Sequence, residues 1–194
     1  MLREKVEEVL RLVRIPSPEV RMLHYPHQMS GGMRQRVVGA IAISCEPQLL
    51  LADEPTTSLD VTIQAQYLRL LKDIQQRLGV SLIFITHDFG IVARMCDRVA
   101  VMYAGKIVES AGVRELFNNP LHPYTRALLK ALPRLGLRSD RLATIEGQPP
   151  YLLDLPPGCR FKSRCDESSE GCRDEEPALI QLAPDHSVCC WKRV

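Results

Sequence analysis

Apolar residues recur at the spacing of one helix face in several long segments. Residues 61–78 carry such a pattern, and Gly79 directly follows as a helix-ending residue. Residues 30–46 carry apolar side chains on nearly every side, with Ser30 as the N-cap, which predicts a largely buried helix. Residues 1–28 are also mostly helical in pattern, with a break at a pair of prolines.

Short apolar runs lie between these helices and predict strands. The runs at residues 49–52, 80–85 and 99–103 do not alternate with polar residues, which is typical of strands covered on both faces. Residues 89–96 predict a short helix between the last two runs. Because strands and helices alternate, we expect an α/β fold with a mostly parallel sheet.

The pattern changes after residue 112. Residues 113–118 and 123–132 predict helices, and from Pro133 onward prolines are frequent and the long periodicity is lost. We therefore expect a core followed by an irregular, cysteine-rich extension. The predicted boundaries divide the chain into residues 1–46, 47–112 and 113–194.

Composition narrows the class of protein. Apolar residues make up 45% of the 194 residues, which is enough for a packed core, and the net charge is +2 with basic and acidic residues interleaved. That charge gives little support to nucleic-acid binding. No apolar run approaches the ~20 residues of a membrane span, and the N-terminus lacks the features of a signal peptide. We therefore expect a cytoplasmic location.

Candidate catalytic side chains follow two of the predicted strands. Asp53 and Glu54 come directly after the first strand, and Thr86 and His87 come directly after the second. The carboxyl ends of parallel strands share one edge of a sheet, where ligands bind. One acid there can hold Mg²⁺ through water and the other can polarise an attacking water, while the histidine contacts a phosphate or orients the water. Taken singly, each residue is equally well explained as a helix cap or a turn residue.

A glycine-rich segment opens the helix at residues 30–46. The residues Ser30, Gly31 and Gly32 leave backbone N–H groups open at a helix start, which suits an anion such as a phosphate. The alternative is an ordinary serine cap followed by a flexible turn. This segment is a weak signal by itself.

Together these motifs resemble the ATP-hydrolysing subunits of ABC transporters. The run His24-Tyr25-Pro26-His27-Gln28-Met29-Ser30-Gly31-Gly32-Met33-Arg34-Gln35-Arg36 is similar to the ABC signature motif, with Met29 where leucine is usual. Residues 49–54 resemble the Walker B strand, residues 58–60 the D-loop, and His87 the switch histidine. The resemblance implies a P-loop NTPase fold, ATP with Mg²⁺, and catalytic roles for Glu54 and His87. It also implies nucleotide contacts from Ser30, Gly31, Gly32, Met33, Asp53 and Asp60.

One motif of that family is missing from the sequence. The phosphate-binding loop, G-x-x-x-x-G-K-S/T, occurs nowhere in the chain, although its backbone and lysine hold the β- and γ-phosphates. The family carries this loop well upstream of the signature. The chain therefore resembles the C-terminal portion of such a subunit, with the end of its helical subdomain at residues 1–46. We expect little or no ATP hydrolysis from the chain alone, whether it is a fragment, a split-gene product or a truncated gene model.

Five of the seven cysteines fall in the last 36 residues. Several cysteines on short loops in a reducing compartment favour a metal over disulfides. Four thiolates suit either zinc or an iron–sulfur cluster, and the spacing matches neither a common zinc module nor a common ferredoxin. A tail without metal is the third alternative.

The tail narrows the resemblance to the oligopeptide and dipeptide importers. The segment His122-Pro123-Tyr124-Thr125, then Gly147-Gln148-Pro149-Pro150, then Pro-Gly-Cys-x-Phe-x-x-Arg-Cys is characteristic of their ATPases. By this resemblance the tail carries a 4Fe–4S cluster on Cys159, Cys165, Cys172 and one of the last two cysteines, of which we favour Cys189 over Cys190.

The same resemblance implies the partners and the location of the protein. It implies a second ABC ATPase subunit, transmembrane permease subunits and, indirectly, an extracellular peptide-binding protein, at the cytoplasmic face of the inner membrane. Two alternatives remain: an importer ATPase for nickel or another substrate, and a non-catalytic fragment that lends its signature motif to a partner ATPase.

Overall fold

The computed structural model describes residues 2–133 and 143–193. The chain divides into two compact units, residues 1–95 and residues 96–194. Met1, in the first predicted helix, and residues 134–142, in the predicted extension, lie outside the described residues, as does Val194. Among the helices in the described ranges, none has the length and apolar character needed to cross a bilayer. The three predicted segment boundaries stay predictions.

The helices of the first unit follow the predicted pattern closely. Asp60 accepts a hydrogen bond of 2.9 Å from the backbone N–H of Ile63, which caps the longest helix, and Gly79 ends that helix with φ of 65°. The helices are α1 (Leu2–Leu12), α2 (Pro18–Arg21), α3 (Gly31–Ile43), α4 (Val61–Leu78) and α5 (Phe89–Met95), with a 3₁₀ turn at Pro26–Gln28.

The two strands of this unit pair in parallel, as predicted. Strand β1 (Leu49–Asp53) lies beside β2 (Ser81–Ile85), with Asp53 opposite Ile85 at their carboxyl ends. Helix α4 makes the crossover between them, which is the usual connection for parallel strands. The residues that follow β1 and β2 therefore leave the sheet at the same edge.

The predicted burial of α3, β1 and β2 is wrong for this chain. Val38 and Ile41 of α3 are 56% and 69% exposed, and on the strands Leu51 is 64% and Ile83 is 49% exposed. Next to them lies a cavity of about 280 Å³ with a mostly apolar lining, which includes Leu50, Ala52 and Leu71. An apolar pattern indicates that a surface needs a cover, and the described residues do not supply that cover.

We expect the isolated chain to self-associate through this uncovered surface. Unpaired strand edges and an exposed apolar sheet face invite edge-to-edge pairing. Light scattering coupled to gel filtration should show a mixture of oligomers, and the thermal transition of the first unit should be broad. The double variant Leu51→Lys, Ile83→Lys should shift the mixture towards monomer. A monomeric wild-type chain with a sharp melt would contradict this expectation.

The second unit begins with a hairpin rather than with another parallel strand. Strand β3 (Arg98–Tyr103) turns through Ala104 and Gly105, with φ of 46° and 79°, into β4 (Lys106–Gly112). Two central residues with positive φ form the turn that suits an antiparallel hairpin. The strands β5 (Ile180–Ala183) and β6 (His186–Val188) complete a four-stranded antiparallel sheet in the order β3-β4-β6-β5. The predicted mostly parallel sheet is therefore wrong outside β1 and β2.

The tail packs into the core of the second unit. Phe161 is 2% exposed and contacts a cluster formed by β3, β4 and helix α6 (Val113–Asn118). Helix α7 (Pro123–Lys130) adds Tyr124 and Leu128 to this cluster. Two 3₁₀ turns, Lys162–Arg164 and Glu170–Cys172, shape the cysteine loops. The prediction of an irregular extension thus missed two strands, which are too short to show a period.

Candidate functional site

Glu54 and His87 meet at the carboxyl edge of the parallel pair. Glu54 follows β1 and His87 lies two residues beyond β2, and Nδ1 of the histidine is 2.9 Å from Oε1 of the carboxylate. The backbone N–H of Glu54 donates to the carbonyl of Ile85 at 2.9 Å, so the β1–β2 ladder extends to the glutamate. Both side chains are open to solvent. The structure therefore brings together the two residues that the sequence assigned to catalysis.

Thr57 is a third member of this site, and the sequence analysis missed it. Its hydroxyl donates to Oε2 of Glu54 at 3.1 Å and lies 3.2 Å from the carbonyl oxygen of the same residue. Hydrogen bonds from His87 and then from Thr57 lower the pKa of Glu54, so the carboxylate stays ionised at neutral pH. Glu54 also has φ of 40°, a conformation that costs energy in a residue with a side chain.

Asp53 occupies the last position of β1, next to Glu54. It faces the rim of the 280 Å³ cavity, and in the described ranges its carboxylate takes part in no hydrogen bond or ion pair. An exposed carboxylate at a strand end suits Mg²⁺, which keeps several waters and uses one or two carboxylates together with substrate phosphates. The residues present therefore fit a magnesium ion that arrives with a nucleotide.

The signature residues lie at the start of α3, against the start of α4. Ser30 accepts a hydrogen bond of 3.3 Å from the backbone N–H of Met33, and Gly31 is exposed with open space around it. Gly32 has a packing role, since a Cβ there would lie 2.7 Å from the side chain of Ile63. Asp60 caps α4 at that same isoleucine. The signature residues and Asp60 therefore form a second group, apart from the Glu54–His87 pair in sequence and hydrogen bonding.

Three of the tail cysteines share one local geometry. Each sulfur accepts a hydrogen bond from the backbone N–H of the residue two positions later in the chain. The donors are Phe161 for Cys159, Glu167 for Cys165 and Lys192 for Cys190. N–H groups directed at sulfur stabilise the thiolate, which is the form that binds metal. None of the seven cysteines, all of which lie in the described residues, forms a disulfide. The loops are thus shaped for three thiolates.

Cys189 does not share this geometry. Its thiol donates to the carbonyl of Pro177 at 2.8 Å, and its backbone N–H donates to Val108. The backbones of Cys172 and Cys159 are in direct contact, because the carbonyl oxygen of Cys172 accepts a hydrogen bond of 2.9 Å from the N–H of Cys159. This contact needs Gly158, whose φ is 75° and where a Cβ would lie 2.3 Å from the Cys172 carbonyl oxygen. The geometry therefore favours Cys190 over the predicted Cys189 as the fourth cysteine of the predicted ligand set, beside Cys159, Cys165 and Cys172.

Burial dominates the electrostatics of these thiols. It raises the pKa of Cys159, of Cys190 and of Cys165, the last to about 11, and neighbouring thiolates add to each shift. At neutral pH these groups are therefore protonated thiols, unless a bound cation compensates the charge of the thiolates. Across residues 2–133 and 143–193, no three His, Cys, Asp or Glu side chains converge as ligands of a single ion. Neither zinc nor the cluster gains support from such a site, and both stay predictions.

A buried network of hydrogen bonds lies beside the cysteines. Glu109 on β4 is fully buried and accepts hydrogen bonds from the backbone N–H groups of Leu121 and His122, at 2.7 and 3.0 Å, and from Nε2 of His186 at 2.8 Å. Burial lowers the pKa of His122 to about 4, against the opposing effect of Glu109, so this ring is neutral. The His122 ring also hydrogen-bonds to the Cys189 carbonyl. One carboxylate therefore fixes α7 and β6 together.

Two family models match separate parts of this chain. The ABC transporter family model matches residues 2–57, and the model of the oligopeptide/dipeptide transporter C-terminal region matches residues 108–172. The chain belongs to the oligopeptide/dipeptide group of ABC transporter ATP-binding proteins. The two matches cover the signature helix with the Walker B strand and most of the cysteine-rich tail.

Individual relatives cover nearly the whole of this chain. A probable peptide ABC transporter ATP-binding protein of Sinorhizobium fredii is 54% identical over 97% of the chain and 57% of its own length. The dipeptide transport ATP-binding protein DppD is 52% identical in Bacillus subtilis and 48% identical in Escherichia coli, over 97% of this chain. The chain therefore spans a little over half the length of these relatives.

Two solved structures show the same fold over part of the chain. CbiO1 of Clostridium perfringens, part of the ABC transporter complex CbiONQ, is 32% identical with a TM-score of 0.53, over 61% of this chain and 46% of its own. A dimeric ATP-binding cassette bound to ADP and phosphate is 28% identical with a TM-score of 0.50, over 57% of this chain and 47% of its own. The α/β fold of an ABC ATPase is thus shared by this ABC transporter ATP-binding chain.

Proposed function

We propose that this chain acts as part of the ATP-hydrolysing subunit of an importer for dipeptides and oligopeptides. The observation that carries the proposal is the Glu54–His87 pair, with its 2.9 Å contact at the carboxyl edge of a parallel sheet, directly beside Asp53. The relatives that match nearly the whole chain are named as peptide or dipeptide transport ATP-binding proteins, which supports the substrate class.

The residues at this edge divide the chemistry among them. The ionised Glu54, held by His87 and Thr57, accepts a proton from the water that attacks the γ-phosphate of ATP. His87 donates to Glu54 through Nδ1, which leaves Nε2 on the other side of the ring to contact the phosphate or the water. Asp53 would hold Mg²⁺, and the ion would neutralise phosphate charge.

The signature residues serve a second nucleotide in this proposal. Ser30, Gly31, Gly32 and Met33 present the N-terminus of α3 to the ATP of a partner subunit, and Asp60 lies beside them at the start of α4. The pair of ATPase subunits would bind transmembrane permeases at the cytoplasmic face of the membrane. The dimeric ATP-binding cassette among the structural relatives supports this arrangement.

A chimera tests the proposed function in cells. The part of Bacillus subtilis DppD that precedes the aligned region is joined to Leu2 of this chain and expressed in a strain that lacks DppD. The chimera should restore growth on a dipeptide that supplies an essential amino acid. A stable chimera that hydrolyses ATP but restores no uptake would refute the peptide assignment.

A second candidate function is non-catalytic, and the exposed start of α3, with open space around Gly31, is the observation behind it. In this reading the chain lends its signature helix to the ATP of a partner and hydrolyses nothing itself. The Glu54–His87 contact would then be a remnant of an active site. Substitution of Glu54 would leave transport by the chimera unchanged.

We also propose that the tail holds a 4Fe–4S cluster on Cys159, Cys165, Cys172 and Cys190. The three N–H donors directed at sulfur support it, because such hydrogen bonds stabilise cluster thiolates.

We expect the anaerobically purified chain to contain iron and sulfide near a four-to-four ratio. Cys190→Ser should lose at least half of this iron, because it removes a ligand. Cys189→Ser is the matched control and should keep it, because the Cys189 thiol bonds to a carbonyl. Iron and sulfide assays decide the matter: the opposite order would restore Cys189 as the ligand, and stoichiometric zinc would overturn the cluster.

A further inference from the structure

His87 lies in a short turn between strand β2 and helix α5. Its side chain is 77% exposed, so packing against a core does not fix the ring. The strand side of the turn is held to the catalytic glutamate, because the Ile85 carbonyl accepts the backbone N–H of Glu54 at 2.9 Å. The position of the ring therefore depends on its contact with Glu54 and on the backbone that carries it.

The hydroxyl of Thr86 fixes that backbone across the histidine. Its Oγ1 accepts a hydrogen bond of 3.1 Å from the backbone N–H of Asp88, so one side chain bridges from the residue before His87 to the residue after it. A threonine hydroxyl bonded to the N–H two residues later forms a tight turn with the intervening residue at its centre. The hydroxyl thus serves the backbone of the turn, and His87 occupies the centre of that turn.

Asp88 holds the helix side of the same turn. Its Oδ1 accepts hydrogen bonds from the backbone N–H groups of Gly90 at 2.7 Å and Ile91 at 3.2 Å, and these bonds cap the first turn of α5. Ile91 is 4% exposed, so the first turn of α5 is anchored by a buried side chain. The residue before His87 and the residue after it are therefore both held in place.

We propose that Thr86 and Asp88 are positioning residues that hold the His87 ring against Glu54 for the hydrolytic step. The inference rests on the function proposed above. The two side chains act through the backbone of the histidine, without contact to the nucleotide. Catalytic groups work only within a narrow range of distances, so a small displacement of one of them costs a large part of the rate. Loss of the Thr86–Asp88 bond would let the ring move away from Glu54.

Thr86→Val tests the turn, because valine keeps the branched shape and removes the acceptor. In the chimera with DppD, this variant should lower kcat for ATP hydrolysis by about tenfold at an unchanged KM for Mg-ATP. Thr86→Ser should restore most of the rate, since the serine hydroxyl accepts the same hydrogen bond. Asp88→Ala should also lower kcat, and Asp88→Asn should restore it, because asparagine keeps the capping oxygen.

Combination with His87→Ala separates positioning from a general loss of structure. If Thr86 acts through the ring, Thr86→Val should cause no further loss of kcat once the ring is gone. Single-turnover phosphate release measures these slow variants. The same loss in the His87→Ala background would show that Thr86 only supports the fold. That result, or an unchanged kcat in the single variant Thr86→Val, would overturn the inference.

A spectrum of the ring distinguishes failure of this inference from failure of the proposed function. Long-range ¹H–¹⁵N spectra of the histidine-labelled chimera, recorded at alkaline pH where the ring is neutral, show which ring nitrogen carries the proton. The signal that His87→Ala removes should show the proton on Nδ1, toward Glu54, and Thr86→Val should weaken this preference. A folded wild-type chimera without ATP turnover would refute the proposed function, and the ring signal would still decide. An Nδ1 preference that is absent in the wild type, or unchanged in Thr86→Val, would overturn the positioning role.

Discussion

Replacement of Glu54 by Gln in the chimera with DppD is expected to lower ATP hydrolysis by about 100-fold or more, the loss typical for removal of a positioned base. The amide keeps the shape of the side chain and its contact with Thr57, but it cannot accept a proton from the attacking water. ATP binding should persist, so the variant should retain bound ATP through gel filtration. Phosphate release at saturating Mg-ATP and the nucleotide content of the purified protein measure the two effects.

The matched control for this variant is Glu46→Gln. Glu46 is an exposed glutamate that also has positive φ, 48°, but it precedes β1 and lies outside the Glu54–His87 edge. Its substitution should leave turnover within about twofold of the wild type. His87→Ala should slow turnover, because Glu54 loses its ring partner. Near-normal rates in both Glu54→Gln and His87→Ala would remove the assigned roles.

Replacement of Glu109 by Ala is expected to destabilise the second unit by about 3 kcal/mol or more, because each buried donor left without a partner costs about 1–3 kcal/mol. The fully buried carboxylate accepts from two backbone N–H groups and from His186, and these donors would stay buried without a partner. Trp191 is the single tryptophan and lies in this unit, so its fluorescence during urea unfolding reports the change.

Glu115→Ala is the control for the buried network. Glu115 lies 3.7 Å from the other ring nitrogen of His186, but its side chain is half exposed. Because solvent screens the half-exposed Glu115 carboxylate, its loss should cost about 0–1 kcal/mol, and the urea midpoint should hardly move. Equal urea midpoints for Glu109→Ala and Glu115→Ala would show that the buried carboxylate does not hold the tail in place.

The sequence predicts the helices well where local signals agree. Helix α4 has the predicted bounds because the apolar period, the Asp60 cap and Gly79 all indicate the same segment. The pairing of β3 with β4 was missed, although Ala104-Gly105 provides a two-residue turn, because alanine rarely adopts positive φ. Burial failed for α3 and β1, because burial depends on a partner surface as well as on the pattern.

The candidate site was predicted in outline and missed in detail. The edge rule for parallel strands places Glu54 near His87, and it needs only the order of strands and helices. It says nothing of Thr57, whose contact depends on how the chain turns after Glu54. The choice between Cys189 and Cys190 stays a prediction, because the sequence does not show which sulfur a backbone N–H approaches.

The most direct test of the central claim compares phosphate release by the isolated chain and by the chimera at saturating Mg-ATP. The claim is that Asp53, Glu54 and His87 form the hydrolytic edge of an ABC ATPase that needs a separate phosphate-binding loop. We expect background rates from the isolated chain and clear turnover from the chimera. Turnover by the isolated chain that disappears in Glu54→Gln would contradict the need for the loop, and an inactive but folded chimera would contradict the hydrolytic role.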